Sequence, residues 1–319
     1  MSDPGPPRGG RFFEALDEAV GRAVVSASVP LQLLTIAVLA GGHALIEDVP
    51  GVGKTLLARA FARALGLDFG RVQGTPDLLP TDVTGSSILD GGSFRFVPGP
   101  IFTNVLLVDE INRATPRTQA ALLEAMQERQ VTAEGETRPL PDPFVVLATQ
   151  NPIELEGTFS LPEAQLDRFL VRIEMGYPNA AAEGAIARRY RDHEEPLELV
   201  PRVGSATELL ALRDATRRVH VGDDVERYAV ELVRATRQHA DLRMGASPRA
   251  SVALYRATQA RAAVAGRDYA LPDDVRDVAH AVLDHRLLLD IDRELRGATV
   301  SAVTDAVLAS VAVPLPDDA

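Results

Sequence analysis

The chain contains no cysteine, and of its 33 basic side chains only one, Lys54, is a lysine. Without cysteine there is no disulfide and no thiol chemistry, and a reducing cytoplasm is the compartment that fits. Basic charge is in deficit. With 45 acidic residues the net charge is −12, which disfavours the broad basic face of a general nucleic-acid binder but not a narrow basic pore. No apolar run reaches the roughly 20 residues that span a bilayer. The longest, "VPLQLLTIAVLAGG" from Val29, is short and interrupted, so no membrane insertion is expected. "MSDPGPPRGG" at the start lacks the basic-then-apolar order of a signal peptide. The six histidines are scattered without metal-ligand spacing, and no G-x-S-x-G element is present.

What is present is an apolar fraction of 46% in 319 residues, ample for a packed core and enough chain for two domains or one with a lid. Residues 1–10 are rich in Pro and Gly and are expected to be disordered. A helix is expected from about Phe12 to Val25, and a second around Pro30 that ends at Gly41-Gly42. "HALIE" reads as an apolar strand, "TLLARAFARAL" as a helix, "NVLLVDE" as a strand, "TQAALLEAMQER" as a helix and "PFVVLATQN" as a strand. Apolar strands alternating with helices predict an α/β fold: a parallel sheet with helices on both faces, over residues 11–177. After Tyr177 strand-like runs stop. Val225, Tyr228, Ala229 and Leu232 mark one helix face, and Val275, Val278, Ala279 and Val282 another. Residues 178–311 are therefore expected to form an α-helical lid domain, followed by a flexible tail over 312–319.

Five elements carry chemistry. In "EDVPGVGKTLLARA" a Gly-rich loop joins a strand to a helix, and the N–H groups from Gly51 to Leu56 can curl around phosphate oxygens. Pro50, Gly51, Val52, Gly53, Lys54, Thr55 and Leu56 make up that loop. Gly51 and Gly53 allow close backbone approach. Lys54 supplies a compact ammonium where the planar fork of Arg fits poorly, and the Thr55 hydroxyl can ligate Mg²⁺. Asp109 and Glu110 end a central strand at the ligand crevice. Asp109 would hold Mg²⁺ through water, and Glu110 would polarise an attacking water as general base. Asn151 ends another strand, where an amide can orient that water. Arg168 in "LPEAQLDRF" reads either as a solvated charge or as an arginine finger lent to a neighbouring subunit. Arg249 in "GASPRAS" follows an N-capping Ser247 and Pro248, and is either an ordinary first-turn residue or one that reaches a phosphate across the cleft.

In this order the five elements resemble the AAA+ ATPases. The wording is similar to the MoxR family in "LAGGHALIEDVPGVGKT", "VQGTPDLLPTDVTG", "PGPIFTNVLLVDEINRATPRTQAALLEAMQERQVT", "VLATQNPIELEGTFSLPEAQLDRF" and "GASPRASVAL". The resemblance is dense over about residues 24–175 and thinner beyond. It implies ATP and Mg²⁺ held between the subunits of a hexameric homo-oligomer, with Walker A at Gly51–Thr55 and Walker B at Asp109 and Glu110. It also implies sensor 1 at Asn151, the finger at Arg168 and sensor 2 at Arg249. It implies chaperone-like remodelling of a protein client, often one with a von Willebrand factor A domain, and for several members assistance in metal-cofactor insertion. Two residues depart from the pattern. Asp48 stands where the loop begins with Gly, so a working site of modestly reduced phosphate affinity is expected, with the Asp48 side chain turned away. Ser26 stands where related chains often have Gly, near the expected adenine pocket.

"SSILDGGSFRFVPGP" and "RQVTAEGETRPLP" read as two inserted hairpins turning at Asp90-Gly91-Gly92 and near Glu134-Gly135. They resemble hairpins of the branch that includes ring helicases and magnesium chelatase. Helicase hairpins need basic tips to track phosphates. Here the tips carry Asp90, Glu134 and Glu136, with Arg95 and Arg138 farther back, which favours a protein client. A nucleic-acid translocase and a nucleotide-gated binding module with negligible turnover are the alternatives.

Overall fold

The computed structural model describes residues 9–133, 135–151, 157–191 and 195–314. Residues 1–8 of the segment expected to be disordered, Glu134 at the second hairpin's turn and residues 315–319 of the expected tail lie outside them.

Two helices, α1 (Gly9–Gly21) and α2 (Ser28–Leu39), come first. Then follow β1 (Ala44–Glu47), α3 (Lys54–Leu65), β2 (Phe69–Gln73), the short α4 (Pro80–Thr84), the hairpin β3 (Gly85–Asp90) and β4 (Ser93–Pro98), and β5 (Val105–Asp109). Next are α5 (Pro116–Glu128), the hairpin β6 (Gln130–Ala133) and β7 (Glu136–Pro139), β8 (Val145–Gln150), the short α6 (Glu163–Leu166) and β9 (Val171–Ile173). The remainder is helical: α7 (Ala180–Arg191), α8 (Ala206–Thr216), α9 (Asp223–Thr236), α10 (Pro248–Val264), α11 (Pro272–Leu283), the short α12 (Ile291–Leu295) and α13 (Val300–Ser310). One small antiparallel pair, β10 (Leu242–Met244) with β11 (Leu288–Leu289), interrupts a region in which no strand is predicted.

Five strands make one parallel sheet in the order β2-β5-β8-β1-β9. Its three central strands β5, β8 and β1 are apolar on both faces because both faces are covered. Along β5, Val105 and Leu107 enter one core and Leu106 and Val108 the other; along β8, Val145 and Leu147 alternate with Val146 and Ala148 in the same way. The first core takes in α1, α2 and α3 and continues into α8, α9, α10, α11 and α13, where Tyr228, Leu232, Val278 and Val282 are buried. The second lies under α5, through Leu122, Leu123 and Met126.

The first helix starts earlier than its composition suggests. Gly9 and Gly10 are helical, contrary to the expectation of disorder over residues 1–10. A Cβ on Gly9 would lie 2.1 Å from the Ala263 carbonyl oxygen, so the missing side chain lets α1 begin flush against α10. The hairpin of β3 and β4 turns through Gly91 and Gly92 at φ +56° and +87°, as a two-residue turn with both central residues left-handed requires. The Arg138 guanidinium of β7 stacks 3.9 Å over the Phe96 ring of β4, pinning one hairpin on the other. Among the described residues no helix is long and apolar enough to cross a membrane.

Buried polar groups join the layers. His43 immediately precedes β1; its Nδ1 accepts from the Val146 N–H at 3.0 Å and its Nε2 donates to the Met126 carbonyl at 3.1 Å. Burial lowers its pKa from 6.5 to about 4, with Arg129 and Arg256 nearby pushing the same way. A histidine neutral in the fold but basic in the unfolded chain stabilises fully above pH 6.5 and progressively less as pH falls towards 4. We expect acidification to pH 5 to remove about 2 kcal/mol through His43. His285, likewise held neutral by burial, adds to the loss. His280 is raised by Asp284, so the stability it lends is complete below pH 6.5 and fades as pH rises through its raised value. Urea midpoints measured between pH 7 and 5 check this: they should fall steadily, and less steeply in His43→Gln.

Candidate nucleotide site

The loop after β1 leads straight into α3, whose first turn leaves its N–H groups without helical acceptors. Gly51 and Gly53 take φ +85° and +92°, in the left-handed region. A Cβ added at either would meet nothing within 4 Å, so it would stand in the open cavity in front of the loop. That cavity, of about 440 Å³, is lined by Pro50, Gly51 and Gly53 to Leu56 of the loop together with Arg71, Gln73, Asp109, Glu110, Thr149 and Asn151. The fold therefore brings Gly51, Gly53, Lys54, Thr55, Asp109, Glu110 and Asn151 together. All sit at the carboxyl ends of parallel strands, where β1, β5 and β8 open into one crevice.

Lys54 is half-buried, and its Nζ donates to the Asp48 carbonyl oxygen at 2.7 Å. Burial lowers its pKa, opposed by the charges of Asp48, Asp109 and Glu110. Asp109 is 8% exposed. It accepts from Arg71 Nε at 2.7 Å through Oδ2 and from the Thr149 hydroxyl at 3.3 Å through Oδ1. Glu110 sits at φ +54°, a strained backbone position that the Thr149 hydroxyl supports by accepting its N–H at 2.9 Å. Its carboxylate accepts from Gln73 Nε2 at 3.0 Å and pairs with Arg113 at 3.5 Å. Arg71, Gln73 and Thr149 are functional neighbours that sequence reading missed. They are placed by strand pairing, which no local pattern announces: "RVQ" in β2 runs beside "LVD" in β5, with Gln73 opposite Asp109.

The donor set suits a triphosphate with magnesium. The Thr55 hydroxyl and the Asp109 carboxylate are hard oxygen donors, and Mg²⁺ characteristically takes one or two carboxylates plus the oxygens of its phosphate substrate. Among the described residues no cluster of three or more His, Asp or Glu could hold a metal by itself. An ion at this position would share the Asp109 carboxylate with Arg71.

A second cavity of about 430 Å³ continues from the first through Gly51, Gly53 and Leu56. Its walls are Val24, Val25, Ser26 and Val52 on one side, and Met175, Gly176, Tyr177, Pro178 and Ile186 on the other. The lining is mainly apolar. Ser26 lies at φ +61°, a glycine's conformation, which gives this departure from the family pattern a cost on the order of 1 kcal/mol. The other departure, Asp48, does turn its side chain away from the cavity. Its Oδ2 accepts from the N–H groups of Met175 and Gly176 at 2.6 and 2.7 Å, and its Oδ1 from the Val49 N–H at 2.8 Å.

Arg168 and Arg249 lie elsewhere. Arg168 precedes β9, so it is at the amino edge of the sheet, level with Gly41-Gly42 before β1. Both arginines line a third cavity, of about 310 Å³, that shares no residue with the one in front of the loop. Asp167 organises that edge, accepting from Arg286 Nε at 2.7 Å and the Ser247 hydroxyl at 2.9 Å, with Arg249 3.8 Å away. Ser247 also caps α10, accepting from the Arg249 N–H at 3.2 Å. Arg249 is thus in the first turn of a helix, as expected, but grouped with Arg168 and not over the loop of its own chain. Among the described residues the Arg168 Nε is buried with no hydrogen-bond partner.

Comparison with known proteins agrees with this geometry. Residues 43–171 match the family described as ATPase family associated with various cellular activities (AAA), and residues 234–306 match the AAA lid domain. The uncharacterised protein YeaC of Bacillus subtilis is 45% identical over 301 residues, covering 93% of each chain. Chaperone MoxR1 of Mycobacterium tuberculosis is 43% identical over 306 residues, covering 92% of this chain and 80% of its own. A crystal structure from Cytophaga hutchinsonii, provisionally described as an ATPase, superposes with a TM-score of 0.89 at 38% identity over 96% of both chains.

Proposed function

Because this chain belongs to the MoxR-type AAA+ ATPases, we propose that it hydrolyses Mg²⁺-bound ATP at the junctions of a homo-oligomeric ring and uses the cycle to remodel a protein client. One observation carries the ring: the phosphate loop and carboxylates occupy the carboxyl edge of the sheet, while Arg168 and Arg249 occupy the amino edge. Each subunit offers one half of a site at each edge, and a head-to-tail assembly joins them. In that arrangement Gly51 to Leu56 cradle the phosphates, and Thr55 and Asp109 hold the magnesium. Glu110 takes the proton of the attacking water and Asn151 orients that water. Arg168 and Arg249 of the adjoining subunit neutralise charge developing on the phosphates. Six subunits, as the family resemblance implies, would close the ring.

The hairpins support a protein client over a nucleic acid. Arg95 pairs with Asp90 at 3.3 Å and Arg138 with Glu136 at 2.5 Å, so both hairpin cations are already neutralised within their own hairpins. Beside Asp90, Leu89 and Phe94 are 67% and 79% exposed. They are a cross-strand pair at the tip and offer apolar contact. The resemblance points to a von Willebrand factor A domain protein as client, with metal-cofactor insertion as a task such a client can require, in a reducing cytoplasm.

A phosphate-release assay on the purified chain tests the activity. Mg²⁺ and ATP should yield steady turnover, and Lys54→Ala should weaken ATP binding roughly a hundredfold and abolish release. ATP binding without release would leave a gated binding module. Turnover that rises only on adding DNA or RNA, with steep salt dependence, would favour a translocase.

A further inference from the structure

Asp48 is the place where the loop departs from the usual glycine, and its side chain is fully engaged. Its carboxylate accepts three backbone N–H bonds at 2.6 to 2.8 Å, two of them from Met175 and Gly176, 127 and 128 residues away. Two successive N–H groups closing on one oxygen, with Gly176 left-handed at φ +67°, form a small anion nest that the chain fills with its own carboxylate. Met175, Gly176 and Tyr177 are at the same time one wall of the apolar cavity that continues from the phosphate loop. Glycine at position 48 would keep the main-chain carbonyl that holds Lys54 at 2.7 Å but would leave that wall untied.

We propose that Asp48 is a positioning residue that fixes the far wall of the base pocket to the phosphate loop, and so sets how tightly and how selectively a nucleobase is held. The proposal rests on the nucleotide reading above. Charge-assisted bonds to backbone N–H groups are strong and directional. A single carboxylate between loop and wall therefore sets their spacing, which an apolar pocket cannot do through contact alone. The effect has the opposite sign to what the loop pattern suggests: restoring the glycine should weaken the site, and only for ligands that carry a base.

Titration calorimetry of the full chain with ATP, GTP and tripolyphosphate tests it. Asp48→Gly should bind ATP about tenfold more weakly. It should bind tripolyphosphate within about twofold of the original chain and discriminate less between ATP and GTP. Asp48→Asn, which keeps an acceptor of the same shape without the charge, should fall between. The ratio of ATP to tripolyphosphate affinity is read within each variant, so a general loss of folded protein does not move it. Equal weakening of both ligands, or ATP affinity unchanged in Asp48→Gly, would overturn the positioning role alone. An unsubstituted chain that binds neither ATP nor tripolyphosphate would sink the nucleotide reading and this proposal with it.

Discussion

Replacing Arg168 with alanine should cost roughly a thousandfold in ATP turnover while leaving ATP affinity nearly intact, because a finger acts on charge that develops only during transfer. Arg168 precedes β9, at the amino edge, whereas Lys54 and Glu110 line the cavity at the carboxyl edge. An arginine at one edge cannot complete the phosphate site at the other edge of its own sheet. The decisive measurement mixes two dead chains. Arg168→Ala retains a working loop and Lys54→Ala retains a working finger, so some junctions in mixed rings contain both intact halves. With equal amounts and random assembly about a quarter of junctions are complete, and turnover should return to about that fraction. Mixed assemblies that stay silent would remove the trans finger and leave Arg168 as an ordinary part of the Asp167 cluster.

Glu110→Gln should bind ATP as well as the original chain and turn it over roughly a hundred- to a thousandfold more slowly, the span expected when a general base is lost. Glutamine keeps the size and can still meet Gln73 and Arg113, but it cannot accept the proton of water. The surroundings make the test clean. The Glu110 N–H is held by Thr149 and its backbone is already committed to φ +54°, so the substitution alters the chemistry and not the placement. Phosphate release and nucleotide binding measured on one preparation decide it. Unimpaired release would move the base to another residue.

The parts legible in the sequence were those whose signal is local. "HALIE" before a Gly-rich loop and a helical repeat gave β1, loop and α3, because alternation, Gly and helical spacing each act over a few residues. "NVLLVDE" gave a buried strand ending in acids for the same reason, and Asp90-Gly91-Gly92 gave the turn of the first hairpin. Contacts across long stretches of chain were invisible. Nothing in "EDVPG" tells that Asp48 reaches Met175 and Gly176, and nothing in "RVQ" tells that Arg71 and Gln73 hold Asp109 and Glu110. Those contacts come from strand order, which periodicity does not encode. The edge of the sheet at which Arg168 and Arg249 stand could be known only once β9 was seen to run parallel beside β1. The early start of α1 was hidden because two glycines read as a loop, while in the fold Gly9 lacks the Cβ that would collide with the Ala263 carbonyl oxygen at the crossing with α10.

Lys54 is the only side-chain amine in the 319 residues, and it sits half-buried with its Nζ against the Asp48 carbonyl. For protein chemistry this gives the molecule a single address. Apart from the chain's α-amino group, an amine-directed label must sit between Gly53 and Thr55, so the rate at which that one position is modified reads the openness of one cavity. A reagent that bridges two lysines cannot staple one chain to itself, and any such link joins two copies loop to loop, which head-to-tail neighbours do not present to each other.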